Sequence, residues 1–157
     1  MPTKLLLEYD FLESQPVRFG IEEIRAINPQ RYEMEQLTAV VFLDTEQRLV
    51  AGYKDVREDE FWVRGHLPGR PLLPGVLMIE AGAQLSSFCY HKVVEQPRFF
   101  GFAAVNDVRF RGTVVPGDRL YLVAKALDIR PSRGYFQTQG LVRGKLVFEA
   151  KVMGMPV

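Results

Sequence analysis

One stretch of this chain holds two side chains that could pass protons to and from a substrate. His66 lies in Gly65-His66-Leu67-Pro68-Gly69-Arg70-Pro71-Leu72-Leu73-Pro74-Gly75, a loop stiffened by three prolines and carrying three glycines. Restricted backbone suits a group that must be held in a fixed geometry. A neutral imidazole accepts a proton near neutral pH, which makes His66 a candidate general base. Glu80 follows among Val, Leu, Met, Ile, Ala and Gly. A carboxylate is costly to bury there unless something pairs with it or uses it. Desolvation would raise its pKa and turn it into a proton donor. Gln84 lies one helical turn on and shares its face, with Val76 before and Ser87 after. At the start of that helix the N–H of Gly75 could polarise a carbonyl oxygen. Each residue also has a plainer reading: a packed histidine after Phe61-Trp62-Val63, a solvated glutamate, an ordinary helix cap.

Other chemistries find less support. Cys89 and His91 are two positions apart on a helix, so they point in different directions and cannot form a nucleophile–base pair. Cys89 reads as core and His91 as a late-helix residue near the negative dipole end. Two histidines and one cysteine are few for a metal site of ordinary ligand type. Gly65, Gly69 and Gly75 match neither nucleotide-binding spacing. In Val108-Arg109-Phe110-Arg111 the arginines are expected outward on a strand and Phe110 inward.

The elements that must position these groups can be read from periodicity. Gly20 to Ile27 carries Ile21, Ile24 and Ile27 at spacings of three, an amphipathic helix ended by Asn28-Pro29. Leu37–Leu43 and Leu49–Tyr53 read as a hairpin around a turn at Asp44 to Gln47. Val76–Val94 is expected as one long helix, apolar on nearly every side and therefore central, with Pro97 just past its end. Strands follow at Phe99–Val105, Val108–Phe110, Leu120–Ile129, Tyr135–Val142 and Lys145–Met153, the last three as an antiparallel meander. The expected class is α+β, a curved antiparallel sheet of five or six strands wrapped around the helix.

The whole chain, 157 residues with 47% hydrophobic and 25% charged side chains, is the size and composition of one globular domain. Its net charge of +1 argues against bulk attraction to nucleic acid. The lone cysteine fits a reducing compartment. Leu5-Leu6-Leu7 is broken at once by Glu8 and Asp10, too short for a signal peptide, and no run approaches a membrane span. A cytoplasmic location is expected. Residues 1–18 form an N-terminal extension without a readable motif, and residues 19–157 the domain.

Two blocks resemble the beta-hydroxyacyl-(acyl carrier protein) dehydratases of the hotdog fold. The first is Gly65-His66-Leu67-Pro68-Gly69 with Pro71-Leu72-Leu73-Pro74-Gly75-Val76-Leu77 and Glu80-Ala81-Gly82-Ala83-Gln84. The second is Arg109-Phe110-Arg111 with Val114-Val115-Pro116-Gly117-Asp118-Arg119-Leu120. The resemblance implies a homodimer, or a hexamer built as a trimer of dimers, with His66 of one protomer meeting Glu80 of its neighbour. It implies loss of water from a (3R)-3-hydroxyacyl thioester to give the trans-2-enoyl thioester, in fatty-acid or related acyl biosynthesis. His66 would take the C2 proton, Glu80 would protonate the leaving hydroxyl, and the Gly75 N–H would polarise the thioester carbonyl. Gln84 would sit on the substrate side, and no metal or organic cofactor is called for. The acyl group would arrive on acyl carrier protein or coenzyme A, with Arg64, Arg70, Lys92 and Arg98 as candidate contacts for an acidic carrier. Glu80, rather than aspartate, resembles the branch that dehydrates without isomerising. Family members carry Pro-His-Arg near the start; here Pro29-Gln30-Arg31 replaces the histidine with Gln30. The competing readings are a hotdog thioesterase and a non-catalytic acyl-thioester binding protein. Retention of both His66 and Glu80 counts against the latter.

Overall fold

The computed structural model describes residues 3–95 and 99–157; Pro97 and Arg98, singled out above, lie outside them. The first hairpin is present as β1 (Ala39–Asp44) and β2 (Leu49–Asp55). Its turn is set by Asp44, whose Oδ1 accepts the N–H groups of Glu46 and Gln47. The long helix, α3 (Gly75–Val93), starts one residue earlier than expected and buries ten of its residues. It follows two short helices, α1 (Tyr9–Ser14) and α2 (Ile21–Arg25).

Beyond α3 come β3 (Phe100–Phe110), β4 (Arg119–Arg130), β5 (Arg133–Val142) and β6 (Lys145–Pro156). All pair antiparallel in the order β1-β2-β4-β5-β6-β3. The two strands expected at 99–105 and 108–110 are therefore one. Asn106 and Asp107, read as a break, form an irregularity in the pairing with β6, and Asp107 takes a positive φ of 52°.

The sheet curls around α3. Ala81, Leu85 and Phe88 are fully buried against a core that includes Val50, Leu122, Phe136 and Phe148. Gly82 permits the close approach: a Cβ there would lie 3.2 Å from Thr138 of β5. This is the wrapped-helix, hotdog arrangement expected from the sequence. Cys89 is in the core, and burial pushes its thiol up to about 12, an inert group.

Two features depart from expectation. Phe110 does not point into the core; it is 51% exposed, with its ring lying over Gly75. The N-terminal extension covers the outer face of the sheet. Leu12 is fully buried among Val41, Ala51 and Val123, and Gln139 clamps the segment by accepting from Leu6 N and donating to Lys4 O, both at 2.8 Å. A bridge between Phe19 and Val40 then closes the free edge of β1. Among the described residues the edge of β3 has no pairing strand, and along it Phe102, Val105 and Phe110 are exposed.

Candidate active site

The loop that carries His66 is anchored at both ends. At its start Trp62 is buried, and its indole Nε1 donates to Glu60 Oε1 at 3.2 Å. That same oxygen meets Lys54 Nζ at 2.6 Å, an ion pair whose side chains are 3% and 6% exposed. Glu60 Oε2 accepts from Arg57 N at 2.8 Å. At its end Leu73 N donates to Val114 O at 2.8 Å, so the second sequence block holds the first in place. Asp118 stiffens that second block by accepting from Val115 N and pairing with Arg143. Within the loop Leu67 is held at φ 57°, an uncommon conformation for a leucine and a local store of strain beside His66.

His66 is half-buried, and its Nδ1 lies 2.8 Å from Leu72 O. A carbonyl can only accept, so Nδ1 carries the hydrogen and Nε2 of the neutral ring is left with its lone pair. The loop thereby presents a proton acceptor in a defined orientation.

Pro74 provides no side-chain cap for α3, and Gly75 is the first residue of the helix. Its N–H is one of the orphan donors of a helix N-terminus. A Cβ at Gly75 would lie 2.8 Å from the Phe110 ring, so glycine is required for that approach. Val76, 70% exposed, continues the apolar surface of Phe110.

Glu80 lies one turn further along α3 and lines a cavity of about 80 Å³ with Gln30, Gln84, Ser87, Phe102 and Phe136. Burial raises the Glu80 carboxyl above the usual carboxylate value, an effect partly offset by the neighbouring Gln84 amide. Gln84 has both ends of its amide engaged: Oε1 accepts from Gln36 N at 3.0 Å and Nε2 donates to Met34 O at 2.7 Å. It ties the 34–36 segment over the helix as well as facing the cavity.

The protomer thus brings Glu80 and Gln84 together, while His66 does not line their cavity. Gln30 does line it, a placement that only its position in the Pro-x-Arg segment hinted at. The buried Lys54–Glu60 pair gave no sequence signal. Arg64 and Arg70 are exposed near His66, whereas Lys92 stands over the Phe19 and Phe88 rings at the far end of α3. No helix among the described residues is long and apolar enough to cross a membrane.

Residues 28–151 match the family model of the FabA-like domain. The chain is 38% identical over 139 residues to a protein of Clostridium beijerinckii named 3-hydroxyacyl-(acyl-carrier-protein) dehydratase FabZ, covering 85% of this chain and 96% of that one. Among solved structures it resembles the dehydratase heterocomplex ApeI:P from Xenorhabdus doucetiae, with TM-score 0.72, 18% identity, and 85% and 90% of the two chains covered. A thioesterase superfamily member from Thermus thermophilus matches with TM-score 0.59 and 15% identity over 69% of this chain and 80% of that one. At these identities the two structures show a shared fold.

Proposed function

This chain belongs to the FabA-like family of 3-hydroxyacyl-(acyl carrier protein) dehydratases, and from that premise we propose the reaction and the residues that perform it. It is a hydro-lyase that removes water from (3R)-3-hydroxyacyl thioesters in fatty-acid biosynthesis, and no membrane-crossing helix is needed for such a substrate. The observation that carries the assignment of residues is the Glu80 carboxyl, set in a cavity and kept above its usual pKa by burial.

His66 Nε2 takes a proton from C2 of the acyl group. The electron pair of that C–H bond forms the C2–C3 double bond as the C3–O bond breaks. Glu80 supplies its proton to the departing hydroxyl, which leaves as water. The thioester oxygen, richer in electrons as C2 loses its proton, accepts a hydrogen bond from Gly75 N–H at the positive end of α3. Gln84 holds the wall beside Glu80. The imidazolium then returns its proton through solvent, and Glu80 regains one.

Since one protomer does not place His66 on the Glu80 cavity, the working unit is a homodimer. The open edge of β3 borders that cavity through Phe102 and exposes unpaired backbone and apolar side chains. Pairing of this edge with its copy about a two-fold axis buries those side chains and sets the partner subunit's His66 toward Glu80. A trimer of such dimers remains compatible with this unit. Exposed Arg64 and Arg70 suit an acidic carrier protein over free coenzyme A. The single buried cysteine fits a cytoplasmic setting.

The test is hydration of crotonyl thioesters, followed by the loss of enoyl absorbance. His66→Ala and Glu80→Gln each lower turnover by about a hundredfold or more with the fold retained. Release of free thiol in place of hydration overturns the reading in favour of a thioesterase.

A further inference from the structure

Behind Glu80 the structure holds a series of spaces that the reaction above does not use. The Glu80 cavity is walled on one side by Gln30 and Gln84. The same two side chains wall a second space of about 10 Å³, shared with Asn28, Leu37, Arg25 and Glu35. Arg25, Glu35 and Leu37 in turn border an open groove of about 350 Å³ on the surface. A space the size of the middle one takes a single water when polar groups line it.

Those polar groups are present and lack partners. Asn28 is 2% exposed, and its Oδ1 has no hydrogen-bond donor among the described residues. Its orientation is set, because Nδ2 donates to Gln84 O at 2.9 Å and a turned amide would place two oxygens together. Gln30 Oε1 is likewise buried without a donor, as is Oε1 of Gln36, a residue of the outer groove. Buried acceptors left unmade are rare and costly, and two of them on one small space ask for a donor of two hydrogens. Water is the molecule that fits.

We infer that the Asn28–Gln30 chamber is a water site through which the water released at Glu80 leaves the protein. This rests on the dehydratase reading. With the acyl thioester filling the front of the site, a water formed at Glu80 has the amide wall as its polar neighbour. Gln84 cannot swing aside without giving up its bonds to Gln36 N and Met34 O. Gln30 Oε1 has no such bond to lose, so Gln30 is the movable part of the wall. At the outer end Arg25 forks onto Glu35 with two contacts of 2.8 Å and closes the chamber from the groove. Gln30 acts here as a positioning residue for the product water, outside the proton-transfer steps.

The experiment uses 3-hydroxybutyryl-coenzyme A carrying heavy oxygen in the 3-hydroxyl and deuterium at C2, incubated with the whole chain in ordinary water. Loss of the oxygen label from recovered substrate is compared with exchange of the C2 deuterium. In the wild type the two keep pace, because the released water escapes before it can add back. In Gln30→Met, similar in size but without the acceptor, label loss falls severalfold relative to C2 exchange. An unchanged ratio in that variant, with enoyl thioester still formed, overturns the exit path alone. Failure of the wild type to form any enoyl thioester overturns the dehydratase reading instead. A high-resolution crystal structure tests the chamber itself, whatever the reaction. Supporting density is a water within about 3.2 Å of both Asn28 Oδ1 and Gln30 Oε1. Density with both amides rearranged onto protein donors and no water between them overturns the site.

Discussion

Around Glu80 the same desolvation sets a rate and a stability, and both fall as pH rises. Its folded-state pKa lies above the ordinary 4.5 because burial disfavours the carboxylate. As the proposed donor, protonated Glu80 therefore persists to higher pH than a surface glutamate would allow, and dehydration is expected to decline as pH rises through the raised value. For stability, folded and unfolded carboxyls are both protonated below the ordinary value and contribute nothing. Between the ordinary and the raised value the unfolded chain releases its proton first, so the folded state loses stability as pH rises. Above the raised value the loss is complete and constant. Glu80→Gln is expected to melt with the wild type in acid and above it at neutral pH. Coincident melting curves at both pH values would show a carboxyl open to solvent. Gly75 offers a second residue-level test. Gly75→Ala forces a Cβ against the Phe110 ring, which is half-exposed in the single protomer and can turn aside within the edge it occupies. Stability then changes by about 0.5 kcal/mol or less, while turnover falls about tenfold as the thioester contact is displaced. Adding Phe110→Ala to that variant recovers part of the rate, measured as kcat/KM.

The loop from Arg57 to Pro74 has no regular secondary structure, and side chains from its neighbours supply its rigidity. Burial holds the Lys54 ammonium below its usual pKa, partly offset by Glu60. Glu60 in turn receives Arg57 N and the Trp62 indole, and Trp62 O accepts from His66 N at 2.8 Å. The position of His66, the proposed base, thus traces back to an ion pair whose glutamate lies six residues earlier. Glu60→Ala leaves a buried ammonium uncompensated and is expected to cost about 3–5 kcal/mol in chemical denaturation. The double variant Lys54→Met with Glu60→Met costs less than the single change, since no charge is stranded. A single variant no worse than the double would mean that the pair is solvated.

The two edges of the sheet set the organisation of the whole molecule. The β1 edge is closed by the Phe19–Val40 bridge, and the outer face near it by the segment around Leu12. Leu12→Asp places a charge in that apolar contact and is expected to lower the melting temperature without altering the base or the acid. The β3 edge has no pairing strand among the described residues and runs beside the Glu80 cavity. If each site takes its base from one subunit and its acid from the other, two inactive variants complement each other. Random mixing of His66→Ala with Glu80→Gln after unfolding and reassembly makes about half the dimers mixed, each with one intact site. Recovery to roughly a quarter of wild-type activity is expected in that mixture. No recovery, with dimers formed, would place base and acid in the same subunit.

From sequence alone came the class of the fold, the single long helix, the candidate base in its proline-rich loop, the candidate acid in the apolar helix and the glycine between them. These are local facts: helical spacing, proline stiffness and the burial of a carboxylate among apolar neighbours are all written within about twenty consecutive residues. The joined β3 strand was misread because Asn and Asp signal a turn, and only pairing with β6 turns that signal into a bulge. Phe110 was misread because alternation does not say where an edge strand runs past the core. The N-terminal segment gave no signal because its apolar residues have meaning only against the sheet face they cover. Gln30 beside Glu80, the Lys54–Glu60 pair and the separation of His66 from the Glu80 cavity were decided by tertiary structure. Each depends on which distant segments the sheet draws together as it curls around the helix, and no local pattern records that distance.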